Sequence, residues 1–201
     1  MLSELFGKAY SYFQDGGVVM PALLVISIIM WMLILIKTFE FMSIKKSEVA
    51  FDKCFKSFRD GDSVPGAEWQ KGIISLASEV SFMERKFRRR VMDGYTARLS
   101  DDVSKHVKTV LVLASSAPLL GLFGTVSGMI DTFNVISAYG TGNPKAMSSG
   151  ISVALITTQA GLVVAVPGLI MGNFLKRRAD TIKDRISIFS HMLVKELEHD
   201  V

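Results

Sequence analysis

Three stretches without a charged residue interrupt an otherwise charged chain: residues 18–36, 109–130 and 146–175. Each comes close to or exceeds the ~20 residues that a helix needs to cross a bilayer core. They differ in kind. The first is mostly Leu, Ile, Val, Met and Trp, with only Ala22 and Ser27 as small residues and with Pro21 in its first turn, where proline is tolerated. Gly, Ala, Ser and Thr make up 10 of 22 residues in the second and 13 of 30 in the third. A helix that faces only lipid has no use for so many small side chains. A helix pressed against others does, because small residues let backbones approach where van der Waals packing supplies the association energy. Gly124-x-x-x-Gly128, Gly161-x-x-x-Ala165 and Gly168-x-x-x-Gly172 have that spacing. The pattern predicts an all-α membrane protein with three transmembrane helices, the first facing lipid and the other two forming a packed inner part.

The flanks complete the layout. Leu2, Leu5, Phe6, Ala9, Tyr10 and Phe13 fall on one helical face, closed by Gly16-Gly17. Residues 1–17 therefore read as a helix lying in the membrane interface or packed on the protein itself. The run that follows does not read as a cleavable leader, since no basic segment precedes it and no A-x-A site follows. After the first span (18–36), residues 37–108 form a charged helical region with 15 Lys/Arg and 11 Asp/Glu. It is broken at Asp60-Gly-Asp-Ser-Val-Pro-Gly66. A second helical stretch is expected from about Glu68 directly into the second span (109–136), because no Gly/Pro cluster intervenes. A turn-rich loop (137–147) joins this to the third span (148–175). In the tail (176–201), Ile182, Ile186, Phe189, Leu193 and Leu197 alternate in steps of four and three. That narrow stripe suits packing against the 68–108 helix or a neighbouring subunit. The second and third spans thus extend into long helices beyond the membrane, the third reaching about 50 residues or ~75 Å.

Basic residues set the orientation. One Lys precedes the first span and one lies between the second and third, against 15 Lys/Arg in 37–108 and six in the tail. By the positive-inside rule the N-terminus and thin loops lie outside, and the charged region and C-terminus inside. With 49% hydrophobic residues in 201 and a net charge of +4, the chain is an integral membrane protein rather than a soluble domain. Its one cysteine, Cys54, allows no intrachain disulfide. His106, His191 and His199 show no ligand spacing, so no metal site is expected. The cluster Arg85, Lys86, Arg88, Arg89, Arg90 reads as a solvated face or a contact with anionic headgroups in preference to nucleic acid, and no nucleic-acid partner is expected. No phosphate loop, Ser/His/Asp set or paired carboxylates point to an enzyme. Three spans give no inverted repeat of the kind secondary transporters use.

Candidate chemistry lies inside the small-residue spans, at Ser115, Ser116, Thr125, Ser127, Thr157, Thr158 and Gln159. Such hydroxyls either bond to a carbonyl of their own helix or line a common interior that offers sites to water or a passing ion. The second and third spans run in opposite directions, so Thr125 and Thr158 are expected at similar depth. Pro118 and Pro167 each free a carbonyl within a span. Asp131 is the sole acidic residue of residues 109–175, six residues beyond Thr125 and ~9 Å nearer the outer face. It is either an ionisable group at functional depth or a side chain that reaches interfacial water.

Ala117-Pro-Leu-Leu-Gly-Leu-Phe-Gly-Thr-Val-Ser-Gly-Met-Ile130 resembles the second-span signature of the MotA/TolQ/ExbB proton-channel family, and residues 150–167 resemble its third. Three spans fit the ExbB/TolQ branch. The resemblance implies a pentameric ring in the bacterial inner membrane, N-terminus periplasmic and C-terminus cytoplasmic, around ExbD/TolR-like single-span partners in its pore. It further implies that the partner's aspartate carries the proton, that Thr125 and Thr158 stand beside it, and that force passes to a TonB- or TolA-like protein. Helix packing falls to Gly121, Gly124, Gly128 and Gly161, with Pro118 and Pro167. No cofactor is implied beyond the coupling ion, H⁺ or alternatively Na⁺. One departure stands out. Relatives commonly carry a glutamate where this chain has Val153, and Asp131 is expected to substitute in part if the two positions are level. The alternative is a structural ring that holds a single-span partner and conducts nothing.

Overall fold

The computed structural model describes residues 16–60, 63–140 and 144–199. The apolar face expected over residues 1–15 lies outside them. Six helices occur among the described residues: α1 (Val19–Ser47), α2 (Phe51–Arg59), α3 (Glu68–Glu79), α4 (Arg85–Ser104), α5 (Val107–Tyr139) and α6 (Pro144–His199). No strand occurs among them. Three stretches, Val19–Ser47, Arg85–Tyr139 and Met147–Leu197, are helical, long and apolar enough to cross a membrane. The all-α, three-span architecture with two long C-terminal helices is as the sequence predicts.

The chain divides into two compact units, one of Met1–Ile34 with Thr109–Asn173, the other of Leu35–Lys108 with Phe174–Val201. In the apolar unit, α5 and α6 lie against one another through Gly, Ala and Thr. Ala114, Ala117, Ala154, Thr157 and Ala165 are all buried. Val19, Leu23, Met30 and Ile34 of α1, spaced by four, seven and four, form a buried seam on this pair. Val19 and Leu23 share a core with Ala117 and Ala165, and Met30 sits where a methyl group at Gly168 would have to go. Facing lipid therefore describes the outer side of α1 only, where Val25, Ile28, Met32 and Ile36 are exposed. Leu119, Leu122, Phe123 and Val126 of α5 and Leu155, Leu162, Val163 and Val166 of α6 are exposed as well. So large an apolar surface belongs in lipid or against other membrane helices. Both internal prolines sit within unbroken helices.

In the charged unit most of the tail stripe is buried as its spacing predicts: Ile182, Ile186, Phe189 and Leu193 are inside, and Leu197 is half-buried. The Phe189 ring meets Phe51 and Trp69 edge-on at 5.2 and 5.4 Å, an arrangement favoured by the ring quadrupoles. Ser190 accepts a hydrogen bond from Thr96 at 3.1 Å. The expected unbroken run from Glu68 into the second span is interrupted twice. After α3, the Ser78 and Ser81 hydroxyls bond to the Ser75 and Ser78 carbonyls at 2.7 and 2.8 Å, an alternative to helical bonding that serine side chains offer. After α4, His106 takes a left-handed conformation, φ 68°. That region is costly for residues with a Cβ, and histidine is among those that enter it more often.

Candidate ion-pathway site

The geometry of α5 on α6 follows from what their glycines touch. A methyl group added at Gly121 would lie 2.9 Å from the Thr157 carbonyl oxygen and 3.2 Å from the Thr158 Cα. At Gly124 it would lie 2.5 Å from the Thr157 Cβ, and at Gly128 2.7 Å from the Gly150 oxygen and 3.0 Å from the Ala154 nitrogen. At Gly161 it would meet the Ala117 oxygen at 2.8 Å. Only hydrogen fits at these four positions without movement. The backbones touch along this seam, as the small-residue spacing predicts.

This register places the predicted residues. Thr158 is level with Gly121. Thr125 lies four residues further along α5, so the two threonines are one helical turn apart, ~6 Å, rather than at the same depth. Both are half-buried. Their hydroxyls are held differently. Thr125 donates to the Leu122 carbonyl at 2.6 Å, a short bond within its own helix. The Thr158 hydroxyl reaches the Ala154 carbonyl of its own helix at 3.4 Å and the Gly121 carbonyl of α5 at 3.5 Å. Both distances are long for an O–H···O bond, whose usual length is ~2.7–2.8 Å. Thr158 is thus the loosely engaged hydroxyl, at the line where the two helices meet.

The other polar groups mostly serve their own helix. Ser115 and Ser116 donate to Leu111 and Val112, and Thr132 to Gly128. Thr157, fully buried, reaches Val153 and Ala154 at 3.0 Å each. Gln159 is exposed. Pro118 and Pro167 lack the N–H that would bond the carbonyls of Ala114 and Val163. Asp131 is exposed, beside the buried Thr132 that packs on Gly150. Val153 is half-buried, 3.8 Å from a methyl group built on Gly17. Because Gly128 faces the stretch from Gly150 to Ala154, Asp131 falls about four residues, ~6 Å, nearer the α5–α6 connection than Val153. The two positions are not level, and the register does not bring Asp131 to the level of Val153.

Three polar features of the charged unit escaped the sequence reading. The buried Gln70 side chain accepts from the Val49 and Ala67 N–H groups at 3.1 and 3.0 Å and donates to the Val49 carbonyl at 2.7 Å. It fastens the segment after α1 to the start of α3. Lys37, the first charge after the first apolar run, is 3% exposed, paired with Glu40 at 2.9 Å and bonded to the Asp102 carbonyl. Buried Arg88, from the basic cluster, donates to the Ser81 carbonyl at 3.2 Å. An i, i+3 Lys–Glu spacing hints at the second; nothing local marks the first or third.

The helices and their lipid-ready surfaces define a multi-pass helical membrane protein whose last two spans form a glycine-tight pair with one loosely held hydroxyl at its seam. Residues 68–188 match the MotA/TolQ/ExbB proton channel family. The chain belongs to that family, in its ExbB-like branch. It is 40% identical over 82 residues to "Biopolymer transport protein ExbB" of Aquifex aeolicus, covering 41% of this chain and 55% of that protein. It is 27% identical over 198 residues to the Pseudomonas putida protein of the same name, covering 92% and 60%. It is 33% identical over 121 residues to "Putative biopolymer transport protein ExbB-like 2" of Helicobacter pylori, covering 59% and 79%. The chain thus spans under two-thirds of the length of the first two relatives.

Proposed function

We propose that this chain is an ExbB/TolQ-like subunit of a motor in the bacterial inner membrane, driven by the proton-motive force. Five copies surround two ExbD/TolR-like single-span partners, with the N-terminus periplasmic and the C-terminus cytoplasmic. H⁺ is the coupling ion, and its flow moves the partner against the ring, passing force to a TonB- or TolA-like protein. The observation that carries the reading is the α5–α6 seam. Its glycines fix two spans in close register, and the Thr158 hydroxyl, stretched between two carbonyls, is free to turn to an outside partner. Thr125 offers a second oxygen one turn outward, and the exposed Asp131 attracts cations at the outer end of the path. Each charge that crosses 100 mV yields ~2.3 kcal/mol, so several per cycle suffice to rearrange helix contacts.

Val153, apolar and ~6 Å from the level of Asp131, favours a second reading. In that reading the ring holds a single-span partner and conducts nothing. Native mass spectrometry of the full chain, alone and with an ExbD-like single-span protein, tests the assembly that both readings share. Five copies retaining two of the partner are expected. A monomer or dimer that retains no such partner would overturn both.

A further inference from the structure

The charged unit holds a cavity of about 660 Å³ between the C-terminal part of α1 and α6. Its floor is apolar: Phe41, Leu175 and Ile182 are buried beneath it, and Met42 and Phe174 form exposed walls. Its rim is basic, with Lys45, Lys46, Arg178 and Arg185. Arg185 is taken up by Glu48, also on the rim, at 2.5 Å. Lys45, Lys46 and Arg178 have no carboxylate partner among the described residues, and Arg178 lies over the Phe174 ring at 5.1 Å. Three uncompensated cations therefore surround an apolar hollow.

The place of these residues in the sequence says what the hollow meets. Phe174 and Leu175 end the third uncharged run, and Arg178 follows within one turn. On α1, Lys37 and Glu40 neutralise one another, and Phe39, Phe41, Met42 and Ile44 extend the apolar character as far as Lys45-Lys46. Both walls thus pass from apolar to basic at the edge of a membrane span, where headgroups lie. Basic pockets between membrane helices at this level suit acidic headgroups, whereas a zwitterionic lipid gains less, because its own cation offsets the attraction of its phosphate. We propose that the cavity binds an anionic phospholipid, its phosphate held by Lys45, Lys46 and Arg178 and the start of an acyl chain laid on Phe41, Met42 and Phe174. The lipid would tie the ends of two spans together, and it would do so whether or not the assembly conducts ions.

The test uses the full chain in a non-ionic detergent, with dioleoylphosphatidylglycerol or dioleoylphosphatidylcholine added and bound lipid counted by native mass spectrometry. Phosphatidylglycerol is expected to be retained in preference. Each neutralised cation should weaken it about fivefold, so that Lys45→Gln/Lys46→Gln/Arg178→Gln together weaken it about a hundredfold. Thr181→Trp, which fills the cavity from an exposed wall position and keeps all three cations, should release the same lipid. Equal retention of both lipids, or retention unchanged in both variants, overturns the proposal. So does inorganic phosphate alone binding as tightly as the lipid, which would mark a free-anion site. Disulfide formation between copies through Thr181→Cys would show that a second copy covers the cavity, and would overturn it too.

Discussion

Gly124→Ala adds one methyl group at a tight part of the α5–α6 seam. The new carbon would stand 2.5 Å from the Cβ and Oγ1 of Thr157 and 2.8 Å from its Cγ2. Ordinary carbon contacts lie at ~3.5–4.0 Å, so the clash amounts to about 1 Å. Thr157 cannot step aside. It is fully buried and bonded to two carbonyls, and its branched Cβ restricts χ1. The helices must separate instead, loosening the contacts at Gly121, Gly128 and Gly161. Overpacking of this kind costs about 1–3 kcal/mol. Alanine's better helix propensity returns about 0.8–1 kcal/mol, leaving a net loss of up to about 2 kcal/mol. Gly94→Ala in α4 is the matched control. A methyl group there meets nothing within 4 Å, so the propensity gain of about 0.8–1 kcal/mol should appear alone. Unfolding in mixed detergent micelles, followed by far-UV circular dichroism, should move in opposite directions for the two variants. Crowding of the added methyl group against Thr157 also predicts that Thr157→Gly partly rescues Gly124→Ala. The reasoning is refuted if Gly124→Ala stabilises the protein as much as Gly94→Ala does.

Two further outcomes follow from the charged unit. Gln70→Ala leaves two N–H groups and one carbonyl without their partner, and at about 0.5–1.5 kcal/mol per bond should cost ~2–4 kcal/mol. Denaturation of the full chain that shows less than half of this would contradict the staple. Burial pushes the Cys54 thiol above its ordinary value, and the thiol donates to the Pro65 carbonyl at 3.1 Å. Its contribution to stability is therefore intact below about pH 8.5 and is lost as the pH rises through its higher folded value. Iodoacetamide should label Cys54 slowly in the native protein and fast in denaturant; equal rates would contradict the burial.

The parts of this fold that were legible are those with a local code. Three uncharged runs gave the three spans, small residues at four-residue spacing marked the α5–α6 seam, and steps of four and three placed Ile182, Ile186, Phe189 and Leu193 inside. The misses have physical causes too. His106 breaks the helix before the second span by adopting a positive φ, which no glycine or proline announces. Gln70 gains its role from Val49, 21 residues away, and pairings at that range leave no periodic trace. Counting outward from Thr125 and Thr158 set Asp131 level with Val153 only on the assumption that the two threonines are opposite. The stagger of two antiparallel helices is fixed by where their glycines interlock, and Gly121 against Thr158 shifts it by a turn.

Proton flux tests the central claim most directly. The full chain with an ExbD-like single-span protein would be placed in liposomes under a membrane potential, and internal pH followed for the wild type and Thr158→Val, which keeps the shape and removes the hydroxyl. A hydrogen bond to a charged species is worth ~1.5–3 kcal/mol, so flux should fall about ten- to a hundredfold while the assembly stays intact. Flux equal in the two proteins, or none in the wild type with its partner bound, would contradict an ion pathway along the α5–α6 seam.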